Sequence, residues 1–513
     1  MAAMHSSRIF LLALLSLIAG VALRSFIAIP YIVAFAGLLA GCAVCALGVS
    51  AQNRSRMISS LIIASFFIGM LRFDAATRPN PDAALLIGKP ATVAGTVWLE
   101  PTFGPQSQML HMRVSIIHER GMVEPFMLRA IAKKYPAYEI GEELILFGKI
   151  GDPADNTGFQ SNAPVQEPVM LFPHIEKTGA SNQRPIMRGL ARLKHAFEKN
   201  IDAALPEPHA AFLKGLLLGE RASLPADLIE SFKKTGTSHM IALSGYNITI
   251  VGRSLASVLA MVAVPFYASF WIALSAMILF VIMTGASASA VRAGIIAALA
   301  LIAHREGRHY QMTNALAFAG AAMLMADPAL LRFDVGFQLS FLATMGLVYL
   351  SPGIERRFKQ FADYVKKFFG MRPVSAALKR NTDETTVHVF FTMKRVLIET
   401  LAAELAVLPL LLYLFGYLSL ISPFANIASL MAVPYAMGAG FFTALAGFFS
   451  STLGSVVGVA SWLLLEYIMD AVRLFASFPY ATVELGAGGI WIIVLLYGVV
   501  AWRLYRNRRS VIS

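Results

Sequence analysis

Ionisable side chains occur inside or beside the most apolar stretches of this chain. Arg253, Arg292, Asp334 and Glu404 each lie in or next to a run that is otherwise apolar. A charge at membrane depth is costly, so such residues usually face a protein interior or a water-filled cavity. For any single residue, an ordinary interhelical hydrogen bond is the simpler interpretation. Together with interrupted helices, these residues favour a polar pathway through a membrane.

The stretch 235–260 contains the densest group of polar residues at apparent membrane depth. An apolar run at 240–243 meets Ser244-Gly245, and a second apolar run follows that contains Asn247 and Arg253. Helix-breaking and polar residues are tolerated in a membrane where they are buried in protein or line a cavity. The pattern therefore predicts a membrane helix that is interrupted at Ser244-Gly245.

No familiar catalytic signature accompanies these residues. The sequence contains no HExxH motif, no GxxxxGK[ST] phosphate loop and no GxSxG elbow. His239 and Ser244 are close in sequence, but no acidic residue lies between or beside them to complete a triad. We therefore interpret His239 as a pore-facing or hydrogen-bonding residue. We predict no enzymatic activity, no cofactor and no metal site.

The composition indicates a polytopic membrane protein. Hydrophobic residues make up 57% and charged residues only 14% of the 513 residues, whereas a soluble domain carries about 25% charged residues. Several apolar runs reach the ~20 residues that span a bilayer. The net charge of +13 is consistent with the Lys and Arg that cytoplasmic loops collect.

The region before the interrupted stretch has the pattern of a small β-domain. Leu110, Met112, Val114 and Ile116 alternate with polar residues in the period of two expected of half-buried strands. About five such strands in ~100 residues suggest a small OB-like barrel. OB-folds often bind single-stranded nucleic acid on a basic, aromatic face. Because aromatics are sparse here, a module that braces the membrane part or meets partners is an equal alternative.

The predicted fold is a mostly α polytopic membrane protein with an inserted OB-like β-barrel. It has about twelve membrane segments, some broken or re-entrant. The expected domains are N-terminal membrane helices (1–73), the OB-like domain (74–185), interfacial amphipathic helices (186–234), a first membrane part (235–352), a basic cytoplasmic connection (353–395), and a second membrane part with a basic tail (396–513).

The charges of the loops predict the orientation. The short basic loop at 52–56 and the arginine-rich tail should be cytoplasmic, since cytoplasmic loops carry an excess of Lys and Arg. Both termini are then inside, and the OB-like domain lies outside the plasma (inner) membrane.

Long motifs in the central part resemble the competence ComEC family of DNA-uptake channel proteins. The resemblance rests on GLLLGERASLPADLIESFKKTGTSHMIALSGYNITI, ASASAVRAG, DPALLRFDVGFQLSFLATMGLVYLSP and the AELAVLPLLLYLFGYLSLISPFANIASLMAVP region. It implies a membrane channel that passes single-stranded DNA into the cytoplasm during natural transformation. The family's external OB-like domain is expected to handle the incoming strand. The implied partners are single-stranded DNA, membrane lipid, a separate DNA receptor, a cytoplasmic helicase-type motor and further copies of the chain.

Two departures from the family pattern stand out. The family usually has Ser-Gly-Leu-His where this chain has Ser244-Gly245-Tyr246-Asn247, and asparagine can form hydrogen bonds but cannot titrate. Many relatives also carry a metallo-β-lactamase-like domain, taken to be a nuclease. This sequence has no HxHxDH-type ligand set, so the resemblance implies a separate nuclease.

A strand of DNA carries one negative charge per nucleotide, so its path needs cationic or donor-rich walls. Arg253 and Arg292 are candidates for phosphate contact, and His239 is a candidate for the mouth of the path. The remaining pathway candidates are Ser244, Gly245, Asn247, Gln338 and Asn426.

Two other functional classes remain open on this reasoning. A secondary transporter or lipid-linked exporter on the same fold would couple an ion through Asp334 or Glu404. A non-transporting assembly protein would use the OB-like domain to recruit partners.

Overall fold

The structure is a computed structural model. It describes residues 6–78, 80–98, 101–103, 106–117, 121–136, 138–151, 167–181, 185–220, 224–241, 245–369, 384–484 and 497–498. Most of these residues are helical, with a seven-stranded sheet and a second sheet of two short strands. The chain divides into two compact units. The first contains Met1–Lys194, Leu274–Ser287 and Gly294–Phe337, and the second contains His195–Ala273, Ala288–Ala293 and Gln338–Ser513.

Three long apolar helices open the first unit. They are α1 (Ser6–Phe26), α2 (Tyr31–Ser50) and α3 (Arg54–Thr77), and α3 packs against both of the others. Asn53 begins α3 because its side-chain oxygen accepts hydrogen bonds from the backbone N–H groups of Ser55 and Arg56. These helices occupy the region predicted to hold the N-terminal membrane helices (1–73).

A short helix, α4 (Pro81–Leu86), leads into the seven-stranded sheet. Its strands are β1 (Pro90–Val97), β2 (Thr102–Phe103), β3 (Ser107–Ile117), β4 (Gly121–Lys133), β5 (Glu142–Gly151), β6 (Val169–Leu171) and β7 (His174–Ser181). Strand β1 pairs antiparallel with β3 and β5, and β3 pairs antiparallel with β4. Strand β6 pairs parallel with β4 and antiparallel with β5, which also pairs with β7.

The predicted alternation in β3 holds for three of its four residues. Leu110, Met112 and Val114 are fully buried in the core of the sheet, whereas Ile116 is 41% exposed. The pairing of β3 with β4 shifts register between Val114 and Ile116. Because a bulge adds one residue to one strand, the side chains beyond it change face. Ile117 is the buried residue instead.

Three helices follow the sheet: α5 (Pro185–Ala204), α6 (His209–Leu218) and α7 (Ala226–Lys234). All ten residues of α6 are buried in the protein, and the interfacial location of residues 186–234 stays a prediction. Its two ionisable side chains have partners in the second unit, since His209 Nε2 lies 2.6 Å from Glu466 Oε2 and Lys214 Nζ lies 2.8 Å from Asp202 Oδ1. Pairing allows these side chains to be buried.

The remaining elements are mostly apolar helices. They are α8 (Gly245–Met261), α9 (Phe266–Met283), α10 (Ala288–Arg305), α11 (Met312–Ala326), α12 (Leu330–Phe333), α13 (Val335–Met345), a π-helical turn (Gly346–Leu350), α14 (Ser351–Phe369), α15 (Glu384–Phe415), α16 (Ser422–Leu430), α17 (Val433–Gly447) and α18 (Ser451–Ala476). The two-stranded sheet pairs β8 (Tyr417–Ser419) with β9 (Thr482–Glu484).

The helices make this a multi-pass membrane protein, although the predicted count of about twelve segments is not confirmed. In the part of the chain that the structure describes, eight helices are long and apolar enough to span a bilayer, and the pair α16–α17, bent by 41°, gives up to nine. Helix α11 has only 15 residues, which is short for a membrane span. The apolar run at 490–505 lies outside the described residues except for 497–498.

Candidate functional site

The start of the signature stretch forms a compact turn. Helix α7 ends at Lys234, and the hydroxyls of Thr235 and Thr237 lie 2.7 Å apart, both fully buried. A single 3₁₀ turn at Ser238–Met240 follows, and α8 begins at Gly245. A helix therefore begins at Gly245, on one side of the predicted interruption. Residues 242–244, including the candidate Ser244, lie outside the described residues.

Asn247 holds α8 against α6. Its side chain is 3% exposed, and its Nδ2 donates a hydrogen bond of 3.0 Å to the backbone oxygen of Leu216. The carbonyls in the last turn of a helix lack partners within that helix. Asn247 therefore satisfies the C-terminal turn of α6, which is a structural use of its amide.

Arg292 and Gly245 come together in the second unit. Arg292 is 8% exposed, donates to the backbone oxygen of Ser340, and lies 5.7 Å from the centre of the Phe341 ring. A Cβ at Gly245 would lie 3.3 Å from Arg292 Nη2 and 3.1 Å from Ala293 Cβ. The absence of a side chain at Gly245 thus leaves room for the guanidinium.

This close approach predicts different effects for two glycines of α8. Gly245→Leu should destabilise the protein by about 1–3 kcal/mol, because overpacking displaces the Arg292 side chain. Gly252→Leu is the matched control, since no heavy atom lies within 4 Å of a Cβ at that position, and leucine is the better helix former. Thermal unfolding of the purified protein in detergent measures both. Equal unfolding temperatures for the two variants would contradict the prediction.

A second polar group, the Glu404 cluster, consists of Glu404, Ser422 and Asn426, and the buried Ser429 lies further along the same helix. The Ser422 hydroxyl donates to Glu404 Oε1, and Asn426 Nδ2 lies 3.4 Å from that oxygen and 3.2 Å from Ser422 Oγ. Ser422, Asn426 and Ser429 are 3%, 2% and 0% exposed, whereas Glu404 is half-buried. Asn426, predicted for the pathway, and Glu404, predicted for ion coupling, thus lie in one cluster.

The Glu404 cluster lies close to the turn that precedes α8. The Ser419 hydroxyl donates a 2.7 Å hydrogen bond to the backbone oxygen of Lys234, the last residue of α7. Gly236 lies against Ser422, where a Cβ would stand 2.7 Å from Ser422 Oγ. The signature stretch and the cluster are therefore in direct contact within the second unit.

The other candidate residues have separate surroundings. His239 is exposed, Gln338 is half-buried, and the side chain of Arg253 lies outside the described residues. Asp334 accepts a hydrogen bond from the backbone N–H of Phe337 at the start of α13. An aspartate in this arrangement is a helix cap, a role that the sequence DVGF could have indicated.

Sequence reasoning missed Ser422 as a member of the cluster. It lies four residues before Asn426, which is the spacing of one helical face and was the available signal. Among the described residues, no group of three or more His, Cys, Asp or Glu side chains could hold a metal ion.

The architecture defines a class: a multi-pass membrane protein with a small β-domain and polar residues among its membrane helices. The model of the competence protein family matches residues 216–510, more than half of the chain. The chain belongs to this ComEC-type competence protein family.

One curated relative is ComE operon protein 3 of Bacillus subtilis (strain 168). It is 25% identical over 276 residues, which are 54% of this chain and 29% of the relative. The chain therefore matches less than a third of that relative's length. No solved structure matches the chain.

Proposed function

We propose that this chain forms the membrane channel that passes single-stranded DNA into the cytoplasm during natural transformation. The family match over residues 216–510 supports this function, and the same residues contain Arg292 and the Glu404 cluster. The observation that carries the proposal is the uncompensated charge of Arg292. In the described part of the chain no carboxylate pairs with it, and its Nε is buried without a partner. A buried cation that still has an unused hydrogen-bond donor can contact the phosphates of an anionic DNA strand.

The β-domain is proposed to be an OB-like barrel outside the membrane that meets the incoming strand. The order of pairings supports a barrel, because it runs β1–β3–β4–β6–β5 and returns to β1. Trp98 is 52% exposed, and the guanidinium of Arg113 lies 4.7 Å from its ring centre. An exposed aromatic ring beside a cation is typical of surfaces on which bases stack.

The proposed orientation places both termini in the cytoplasm. It is supported by the basic loop at 52–56 between α2 and α3, and by the arginines of the C-terminal tail. The same proposal includes the domain boundaries predicted from the sequence. It also includes a separate DNA receptor, a helicase-type motor, a separate nuclease and self-association of the chain.

Deleting the gene from a transformable host tests the function. We expect labelled DNA to bind the cell surface as before, while its protected cytoplasmic fraction disappears and returns on complementation. Unchanged cytoplasmic uptake would contradict a channel. Loss of surface binding together with uptake would instead indicate an assembly protein.

A further inference from the structure

Helix α14 continues beyond the apolar layer of the membrane. Together with α13 and the π-helical turn it forms one candidate span, Val335–Tyr364, of 30 residues, which is about 45 Å long at 1.5 Å per residue. The hydrocarbon core of a bilayer is only about 30 Å thick. The stretch 335–354 carries no charge, and the first charged residue after it is Glu355. The part of α14 that follows Glu355 therefore extends out of the bilayer.

Helix α15 enters the apolar layer at the same level. Its apolar part begins at Met393, and Lys394 Nζ lies 3.8 Å from Glu355 Oε1 and 5.7 Å from the centre of the Phe358 ring. Glu355 and Phe358 therefore define the face of α14 that is directed at α15. In the proposed orientation this level is the cytoplasmic boundary of the membrane.

The opposite face of α14 is exposed and carries both cations and aromatic rings. Arg357, Phe361 and Tyr364 have the i, i+4, i+7 spacing of one helical face. Phe361 and Tyr364 are 67% and 66% exposed, and Arg357 and its neighbour Arg356 are exposed as well. Within the described residues, no carboxylate forms an ion pair with either arginine. These four residues are called the α14 face.

We propose that the α14 face binds the single strand of DNA where it leaves the channel in the cytoplasm. The two rings stack on bases, and the two arginines contact phosphates. The connection around this face, residues 353–395, contains ten Lys and Arg against four Asp and Glu, so its field attracts a polyanion. Because α14 continues the direction of a membrane span, it presents this face to solvent rather than to lipid headgroups. This inference rests on the proposed channel function.

Inside-out membrane vesicles that contain the full chain test the site, because they expose the cytoplasmic face and enclose the β-domain. We expect fluorescein-labelled oligo(dT) to bind them more than it binds vesicles from a deletion strain. Each phosphate contact contributes about 0.7 to the slope of log affinity against log salt concentration. Arg356→Ala combined with Arg357→Ala should therefore weaken binding and reduce this slope by about 1.4. Arg305→Ala combined with Arg308→Ala removes the same charge elsewhere and should change neither quantity.

The aromatic contribution gives a different signature. Phe361→Ala should lower the affinity about tenfold at an unchanged salt slope, since it removes stacking but no charge, and Phe361→Tyr should retain binding. Vesicles that bind no oligonucleotide, or that bind it equally in the arginine and Phe361→Ala variants, would overturn the site.

Thiol labelling distinguishes DNA binding from binding to the membrane surface. In a Phe361→Cys protein whose Cys42 and Cys45 are changed to serine, aqueous thiol reagents should reach position 361, and oligo(dT) should protect it. Protection without DNA would place this face on lipid and overturn the proposal. The channel function fails separately, since it requires that gene deletion abolish cytoplasmic uptake.

Discussion

Arg292→Ala is expected to reduce cytoplasmic DNA uptake about 10- to 100-fold while the protein remains in the membrane. Loss of one hydrogen bond to a charged partner is worth about 1.5–3 kcal/mol, and one phosphate contact of this kind would be lost along the path. The fold should survive, because the Ser340 carbonyl keeps the 2.9 Å hydrogen bond from the Thr344 hydroxyl. Transformation frequency and protected labelled DNA, normalised to membrane protein level, measure the effect.

One further variant separates charge from shape at position 292, and a second variant at another position serves as a control. Arg292→Lys should give an intermediate defect, since an ammonium keeps the charge but lacks the planar fork of a guanidinium. Arg305→Ala is the matched control. Arg305 lies at the end of the same helix and pairs with its neighbour Glu306 at 3.6 Å, so its removal should leave uptake unchanged. An Arg292→Ala protein that inserts normally and transforms within about twofold of wild type would exclude the proposed role.

Gly346→Ala should destabilise the protein by about 2–3 kcal/mol through overpacking. Gly346 opens the π-helical turn that packs against α15. A Cβ there would overlap the backbone oxygen of Ala402 and lie 2.7 Å from Ala406 Cβ. Backbone cannot move aside as a flexible side chain can, and small residues are what allow membrane helices to approach this closely. The unfolding temperature in detergent measures the change.

Gly353→Ala provides the control for this substitution. Gly353 lies about two helical turns further along, in α14, and no heavy atom stands within 4 Å of a Cβ at that position. Alanine there should be neutral or slightly stabilising, by up to about 1 kcal/mol, because alanine favours the helix. If both alanine variants unfold at the wild-type temperature, close packing at Gly346 is not needed for stability.

The local pattern of apolar and polar residues correctly predicted the long N-terminal helices and strand β3. The apolar runs of α1, α2 and α3 and the period of two in β3 depend on neighbouring residues, which the sequence displays directly. The bulge that exposes Ile116 depends on pairing with another strand, so no local pattern reveals it. The turn at 238–240 was missed because the apolar residues after His239 outweighed the threonines that end α7.

The sequence predicted individual candidate residues, but it did not predict which of them contact each other. Glu404 and Asn426 belonged to rival hypotheses, and only packing of α15 against α16 shows that they share a cluster. Asp334 and Asn247 were chosen as candidates because they are polar and near apolar runs. Their hydrogen bonds to the backbone place both at helix ends, and their roles in transport or ion coupling stay predictions.

The amide of Asn247 has a consequence for which substitutions the signature stretch can accept. Its hydrogen bond to the Leu216 carbonyl needs a neutral donor, and a neutral histidine also carries a ring N–H that can donate. An ionised aspartate only accepts hydrogen bonds and therefore cannot replace the amide in this contact. Position 247 thus sets a chemical requirement on the packing of α8 against α6 that is separate from any role in transport.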